Sequence, residues 1–327
     1  MPISVSDEGY GLPVQYGKPI SLSISWWTLA PNELDHPDFD FDDLGSELNS
    51  HLTSLLRETE IVSFSVEVLE ACQPSDDRNK VFEIFKNNWK REEEECGTRT
   101  VEEKIQRFEK ELYSNRSDLS FFILKGNKPT GSEIEAFVAF RRLSDETVYV
   151  QDFNCRHGLH GRHIGLLFGL HVANHFQEKG MALEGSSFPR SPICSHYIED
   201  YHYVAFGFKY RRDRETGEIL EPRLRLKLDK EGNRQYEDKK KKSAEIIEEY
   251  DPKEQERVEQ VVSGGRGPVQ HHCILKYDLD PEPSYERFER IAKVLFDSEF
   301  VLVRMIREKG GSGYTGQTYF AFERTEF

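Results

Sequence analysis

The chain is poor in the residues that staple or anchor a fold. Its 327 residues include only five cysteines, Cys72, Cys96, Cys155, Cys194 and Cys273, odd in number and widely spread, with no Cys-x-x-Cys pair. That excludes a disulfide framework and a cysteine-ligated zinc finger, and it fits a reducing cytoplasm. No apolar run approaches the length needed to cross a bilayer, so no membrane partner is expected. The first residues, Met1-Pro-Ile-Ser-Val-Ser-Asp-Glu8, lack the basic start and apolar core of a secretory leader. Positive charge is in deficit: the formal net charge is -15. A phosphate backbone is repelled by such a chain on average, which argues against general nucleic-acid binding. A cationic acceptor, such as an amine or a Lys-rich peptide, is attracted. No internal repeat of fixed period is present.

What the chain has is enough apolar surface for real cores, with 37% hydrophobic and 12% aromatic residues. Ile20, Leu22, Ile24 and Trp26 alternate with polar residues as in a half-buried strand, and Leu44, Leu48, Leu52 and Leu55 recur at helical spacing. Between them Asp38, Asp40 and Asp42 alternate as in a calcium loop. Asp43 stands where that loop needs glycine and Asn49 where it needs glutamate, so the reading is a solvated acidic loop. Val62, Phe64, Val66 and Val68 mark a second strand. Pro74-Ser-Asp-Asp77 opens a helix carrying Val81, Phe82, Phe85 and Trp89, and Thr100-Val-Glu-Glu103 is a capping box for the next. Strands are expected over 121–124, 134–140 and 148–155, the first two joined by a turn over 126–131. A buried helix is expected over 164–179, and strand character resumes at 181–183.

From 211 to 267 charged residues of both signs dominate, and the reading is a charged hairpin followed by an exposed helix and linker. A strand-helix-strand-strand unit closes the chain. Its Gly311-Ser-Gly-Tyr-Thr-Gly316 matches a dinucleotide fingerprint by letter but precedes a strand rather than a helix, which leaves it a hairpin loop. The expected domains are 1–60, a strand-helix extension; 61–212, a central α/β domain; 213–268, the charged segment; and 269–327, the closing unit.

The chemistry concentrates in Cys155-Arg-His-Gly-Leu-His-Gly-Arg-His-Ile-Gly165, set between a strand and a helix, with Tyr203-Val-Ala-Phe-Gly207-Phe208 downstream. Glycines in a strand-to-helix turn let backbone amides approach an anion, and the helix start adds partial positive charge. With this order of strands and helices, the stretch from 61 to 210 resembles the GNAT superfamily of acyl-CoA-dependent N-acyltransferases. That family carries Val-x-Pro-x-Tyr-Arg-Gly-x-Gly-x-Gly after its fourth strand and Tyr-x-x-x-Gly-Phe later. Gly161, Ile164 and Gly165 keep the first pattern, and Tyr203, Gly207 and Phe208 keep the second. His160 stands in the family's Arg/Gln position and His163 in its first core glycine position. His196 replaces an asparagine common there. A His163 ring either blocks close approach of a pyrophosphate or, protonated, donates to it; the sequence leaves both open.

The resemblance implies an α/β fold, with a mixed and mostly antiparallel sheet flanked by helices and α+β extensions at both ends. It implies acetyl-CoA or another acyl-CoA as co-substrate and an amine acceptor, either a small molecule or a protein or peptide. Phe153 and Cys155 would lie along the pantetheine. His160, Gly161, Arg162, His163, Ile164 and Gly165 would surround the pyrophosphate. The amine needs a base, for which Glu184 and Asp152 are candidates, and the leaving thiolate needs an acid, the role implied for Tyr203. Structural alternatives stand beside each: Tyr203 as a core residue, Asp152 as a solvent-side strand residue, and Cys155 as a small buried side chain rather than a nucleophile. His171 and His175 sit four apart, but Val172 fills the place of a zinc protease's glutamate. No resident metal is expected, with His157, His160 and His163 the weaker alternative. The leading function is acyl transfer to an amine; the alternative is a non-catalytic GNAT-fold binding or regulatory protein. A structural protein assembling through 211–267 ranks third.

Overall fold

The computed structural model describes residues 20–22, 61, 63–70, 76–96, 101–114, 119–157, 164–212, 217, 219–233, 236–248, 250–265, 271–280, 282–308 and 317–325. The expected helix over 44–55, the acidic loop at Asp38–Asp43 and the strand residues Ile24 and Trp26 lie outside these residues. The chain divides into two compact units, Met1–Arg142 with Val150–Val172, and Leu143–Tyr149 with Ala173–Phe327. The division cuts the chain differently from the sequence boundaries near 61, 213 and 269.

In the first unit β1 (Ile20–Leu22), β2 (Ser63–Glu70), β3 (Leu119–Lys128) and β4 (Gly131–Arg142) pair antiparallel in chain order. The distal part of β5 (Thr147–Cys155) follows β4. The turn expected over 126–131 is tighter than that: Lys128 pairs with Gly131, leaving Pro129 and Thr130 as the turn. Gly126 lies inside β3, where a side chain would be crowded. A Cβ there would meet Ile61 Cδ1 at 2.8 Å and Glu135 Cγ at 3.0 Å. Phe121, Phe122, Ile123 and Leu124 are all buried, so β3 is apolar on both faces rather than alternating.

Two helices cover one of those faces, α1 (Asp76–Cys96) and α2 (Val101–Leu112). Val101, Ile105, Phe108 and Leu112 recur every three or four residues and are all buried, which is the apolar stripe the sequence announces. Phe108 stacks on Phe85 at 3.9 Å between ring centroids and meets Phe121 edge-on at 6.3 Å. Burial of each such ring contributes about 1.5–3 kcal/mol. Polar contacts fix how α2 lies: Glu111 faces Arg141 at 2.9 Å and accepts from Gln151 at 2.7 Å, tying the helix to β4 and β5.

In the second unit Thr147–Tyr149 of β5 runs parallel to β6 (Ala182–Ser187). β6 then pairs antiparallel with β8 (Ile219–Leu228), and β8 with β7 (Val204–Arg212). The order continues β10 (Phe300–Arg307), β11 (Gln317–Arg324), β9 (His272–Asp278), all antiparallel. The closing strand-helix-strand-strand pattern is met by β9, β10, β11 and the helix Glu282–Asp297. The segment expected to be a charged hairpin, an exposed helix and a linker pairs β8 with β7 as a hairpin and supplies two helices rather than one, with Leu224, Leu226 and Leu228 buried.

Helices of this unit follow in chain order after α3 (Ile164–Glu178), which begins in the first unit: α4 (Pro192–Glu199), α5 (Glu237–Glu248), α6 (Pro252–Val262) and α7 (Glu282–Asp297). Phe288 of α7 is fully buried and stacks on Phe320 at 4.1 Å. Several buried polar groups are satisfied in networks. Glu199 at the end of α4 faces Arg304 at 3.0 Å and accepts the Met305 N–H at 2.6 Å. The Lys240 ammonium donates to the Ile198 carbonyl at 3.3 Å. Glu259 of α6 accepts from Tyr277 at 2.5 Å and from Gln255 at 2.9 Å, and pairs with Arg287. A carboxylate so buried is tolerated because every one of these donors favours its charged form.

Candidate functional site

In the first unit β5 ends and α3 begins around one close contact. Gly165 lies so near Cys155 that a Cβ there would meet the Cys155 sulfur at 3.0 Å and Phe153 Cζ at 3.8 Å. Phe153 packs edge-on against Phe168 at 6.0 Å, and Ile164 is buried beneath the first turn. The structure thus brings Phe153, Cys155, Ile164 and Gly165 together. His160, Gly161, Arg162 and His163 lie outside the described residues. Cys155 is half-buried as a residue, yet burial pushes its thiol up to about 12, so the thiolate a nucleophile needs is disfavoured.

Side chains from other elements hold the end of β5. Asn88 of α1 donates its amide to the Cys155 carbonyl at 2.8 Å and to Asn154 Oδ1 at 3.2 Å. The Arg156 N–H donates to the Glu135 carbonyl at 2.7 Å, and its guanidinium reaches Glu133 at 2.9 Å and Glu135 at 3.6 Å. Burial raises the Glu135 carboxyl, with Arg156 opposing it. Sequence reading missed Asn88, Glu135 and Arg156. Only the polar amide at Asn88 between Phe85 and Trp89, on an otherwise apolar helix face, hinted at a partner there.

In the second unit the parallel ladder between β5 and β6 has three pairs and ends at Tyr149↔Glu184. Glu184 is half-buried and stands opposite Lys227 of β8. The Tyr149 hydroxyl and Ser186 Oγ share a hydrogen bond of 2.9 Å, and Lys209 donates to the same Tyr149 oxygen at 3.4 Å. Tyr203 precedes β7, two strands from Glu184 with β8 between them. It is 3% exposed, packs against Tyr197 at 5.4 Å, and burial raises its hydroxyl well above the ordinary range. A phenol so held is a poor proton donor. Asp152 belongs to the first unit and is half-buried on β5.

The histidines divide in the same way. His157 is exposed just past β5, while burial holds the His171 imidazole down at about 4. Among the described residues no group of three or more His, Cys, Asp or Glu is placed to hold a metal ion. His196 pairs with Asp200 one helical turn on. Among the described residues no helix is long and apolar enough to cross a membrane.

No family model matches the chain, and no curated protein sequence matches it. Solved structures similar to it include an N-acetyltransferase, PaiA, from Thermoplasma acidophilum in complex with coenzyme A. That structure is 13% identical with a TM-score of 0.34, over 50% of this chain and 98% of the other. Another is a GNAT family acetyltransferase from Elizabethkingia anophelis with acetyl-CoA bound, 13% identical with a TM-score of 0.32, over 51% and 97%. A third is a probable acetyltransferase from Staphylococcus epidermidis, 11% identical with a TM-score of 0.36, over 51% and 98%. Each of these likenesses covers about half of this chain and nearly all of the other.

Proposed function

We propose that the chain is an acyl-CoA-dependent N-acyltransferase, in its simplest form an acetyltransferase, acting on an amine. One observation carries the reading. The β5–β6 ladder ends at Tyr149↔Glu184, while β5 runs on to Cys155, and the glycine- and histidine-containing segment lies in the sequence between Cys155 and α3. In this reading acyl-CoA is a co-substrate. Its pantetheine lies along Phe153–Cys155, and its pyrophosphate meets the amides of 161–165 and the start of α3.

The chemistry then needs few groups. The amine must lose its proton before its lone pair attacks the thioester carbonyl. Glu184 takes that proton, directly or through water. The C–N bond forms, the C–S bond breaks, the nitrogen releases its remaining extra proton to solvent, and CoA leaves as a thiolate that takes a proton from solvent. Tyr203 is assigned to packing, because it is buried and burial makes its hydroxyl a weaker proton donor than an ordinary phenol. Asp152 stays the second candidate base. The alternative, a fold that has lost CoA binding, draws its support from His160 and His163 in the turn.

Thiol release from acetyl-CoA, followed across a panel of primary amines, tests the assignment. We expect Glu184→Gln to lower kcat about 10²–10⁴-fold near neutral pH, with Tyr203→Phe unchanged. Equal turnover in Glu184→Gln removes Glu184 as the base, and absence of thiol release with every amine removes the enzymatic reading.

A further inference from the structure

Adjacent strands of the second unit present one cationic face. Along β8, Leu224, Leu226 and Leu228 are buried on one side, so Arg223, Arg225 and Lys227 point to the other. Register extends that side across the neighbours, because paired residues share a face. Lys209 pairs with Arg223, Ser186 with Arg225, Glu184 with Lys227, and Tyr149 with Glu184.

The cations on this face are set on aromatic rings. The Arg225 guanidinium lies 4.3 Å from the Phe206 centroid, Arg223 lies 4.2 Å from Phe188, and Lys209 lies 4.9 Å from Tyr149. Lys227 is neutralised by Asp229 at 2.5 Å. Lys209 and Arg225 are exposed, and among the described residues neither forms an ion pair with a carboxylate. In a chain of net charge -15, carboxylates are the commonest neighbours a surface cation could have. Rings beneath Lys209 and Arg225 hold them in place without cancelling their charge.

We propose that this face receives the acceptor, and that the acceptor is an anionic amine: an amine joined to a carboxylate or phosphate group. The proposal rests on the acyl-transfer reading and adds the substrate class to it. Glu184 and Arg225 are diagonal neighbours on adjacent strands, about 7–8 Å apart at their backbones. A molecule of that reach sets its amine against Glu184 and its anion against Arg225 and Lys209. The Tyr149 and Ser186 hydroxyls lie on the same side as neutral donors. The bulk charge pointed instead to a cationic acceptor; the local field at this face has the opposite sign.

Fluorescence anisotropy with three short peptides tests the proposal. Each has a free amino-terminal glycine and a carboxy-terminal dye, followed respectively by three glutamates, three phosphoserines or three lysines. The glutamate and phosphoserine arms distinguish the two anion sources. We expect at least one acidic peptide to bind the wild type about tenfold more tightly than the lysine peptide. The Lys209→Glu/Arg225→Glu pair should lose that preference, while Lys293→Glu, an exposed change on α7, should keep it. Equal binding of acidic and basic peptides, or equal loss in Lys293→Glu, overturns the proposal. In a protein that binds acetyl-CoA, thiol release with the preferred peptide supports the acceptor role, and binding without release overturns it. Acidic-peptide binding by a protein that does not take acetyl-CoA removes acyl transfer, and the acceptor role with it, while leaving an anion site on this face.

Discussion

His171 shows what a single buried side chain contributes at this molecule's expense and benefit. Burial holds its imidazole at about 4 against an ordinary value of 6.5, so the folded state keeps it neutral where the unfolded chain protonates it. The unfolded chain therefore binds the extra proton between those values, and folding stability falls as pH drops from 6.5 towards 4. Urea unfolding of wild type and His171→Gln should show wild type losing stability relative to the variant across that window. Parallel curves from pH 7 to pH 4 would contradict the assignment. The sequence displayed His171 and His175 at helical spacing, and that pattern alone invited a metal. Burial, which lowers the His171 pKa, is set by side chains remote in sequence and is invisible to spacing. Tyr203 was open in the same way: Tyr-x-x-x-Gly-Phe could be read from the chain, but its depth could not.

Between elements, α3 packs closely against the end of β5. Gly165 admits the Cys155 sulfur, and a methyl group would stand 3.0 Å from it. Gly165→Ala should gain about 0.5–1 kcal/mol of helix preference and lose about 1–3 kcal/mol to overpacking, for a net loss. Cys155→Ala removes the obstacle, so the double variant should recover most of that loss. A double-mutant cycle by urea unfolding reads the coupling, and strictly additive effects would contradict the contact. Gly165 was legible as a motif glycine, but its steric reason was not, since the partner side chain comes from the preceding strand. The helix α2 was the opposite case, with Val101, Ile105, Phe108 and Leu112 predicting both its extent and its buried face. In β8 the pattern Arg-Leu-Arg-Leu-Lys-Leu, 223–228, alternates as plainly as any strand in the chain. The surrounding charge masked it, because composition averages over the two faces that alternation separates. The hydroxyl pair of Tyr149 and Ser186 had no signal at all, as it depends on the register of β6.

At the scale of the molecule, the net charge of -15 and the cationic face of β7 and β8 pull in opposite directions. The average steers diffusing ligands, while the local arrangement decides what stays bound. The fold class was readable because a mixed, mostly antiparallel sheet leaves its trace in strand and helix order. The proposed acyl transfer depends on whether the segment from Cys155 to Gly165 takes a pyrophosphate. Calorimetric titration of acetyl-CoA into wild type, Gly161→Glu and His163→Gly tests that most directly, with thermal melting to confirm that each variant folds. We expect one saturable site in the wild type, abolished by a carboxylate at 161 where the phosphate should sit. No binding by the wild type, with binding gained in His163→Gly, would contradict an acyl-CoA-dependent enzyme and identify a turn that has lost its ligand.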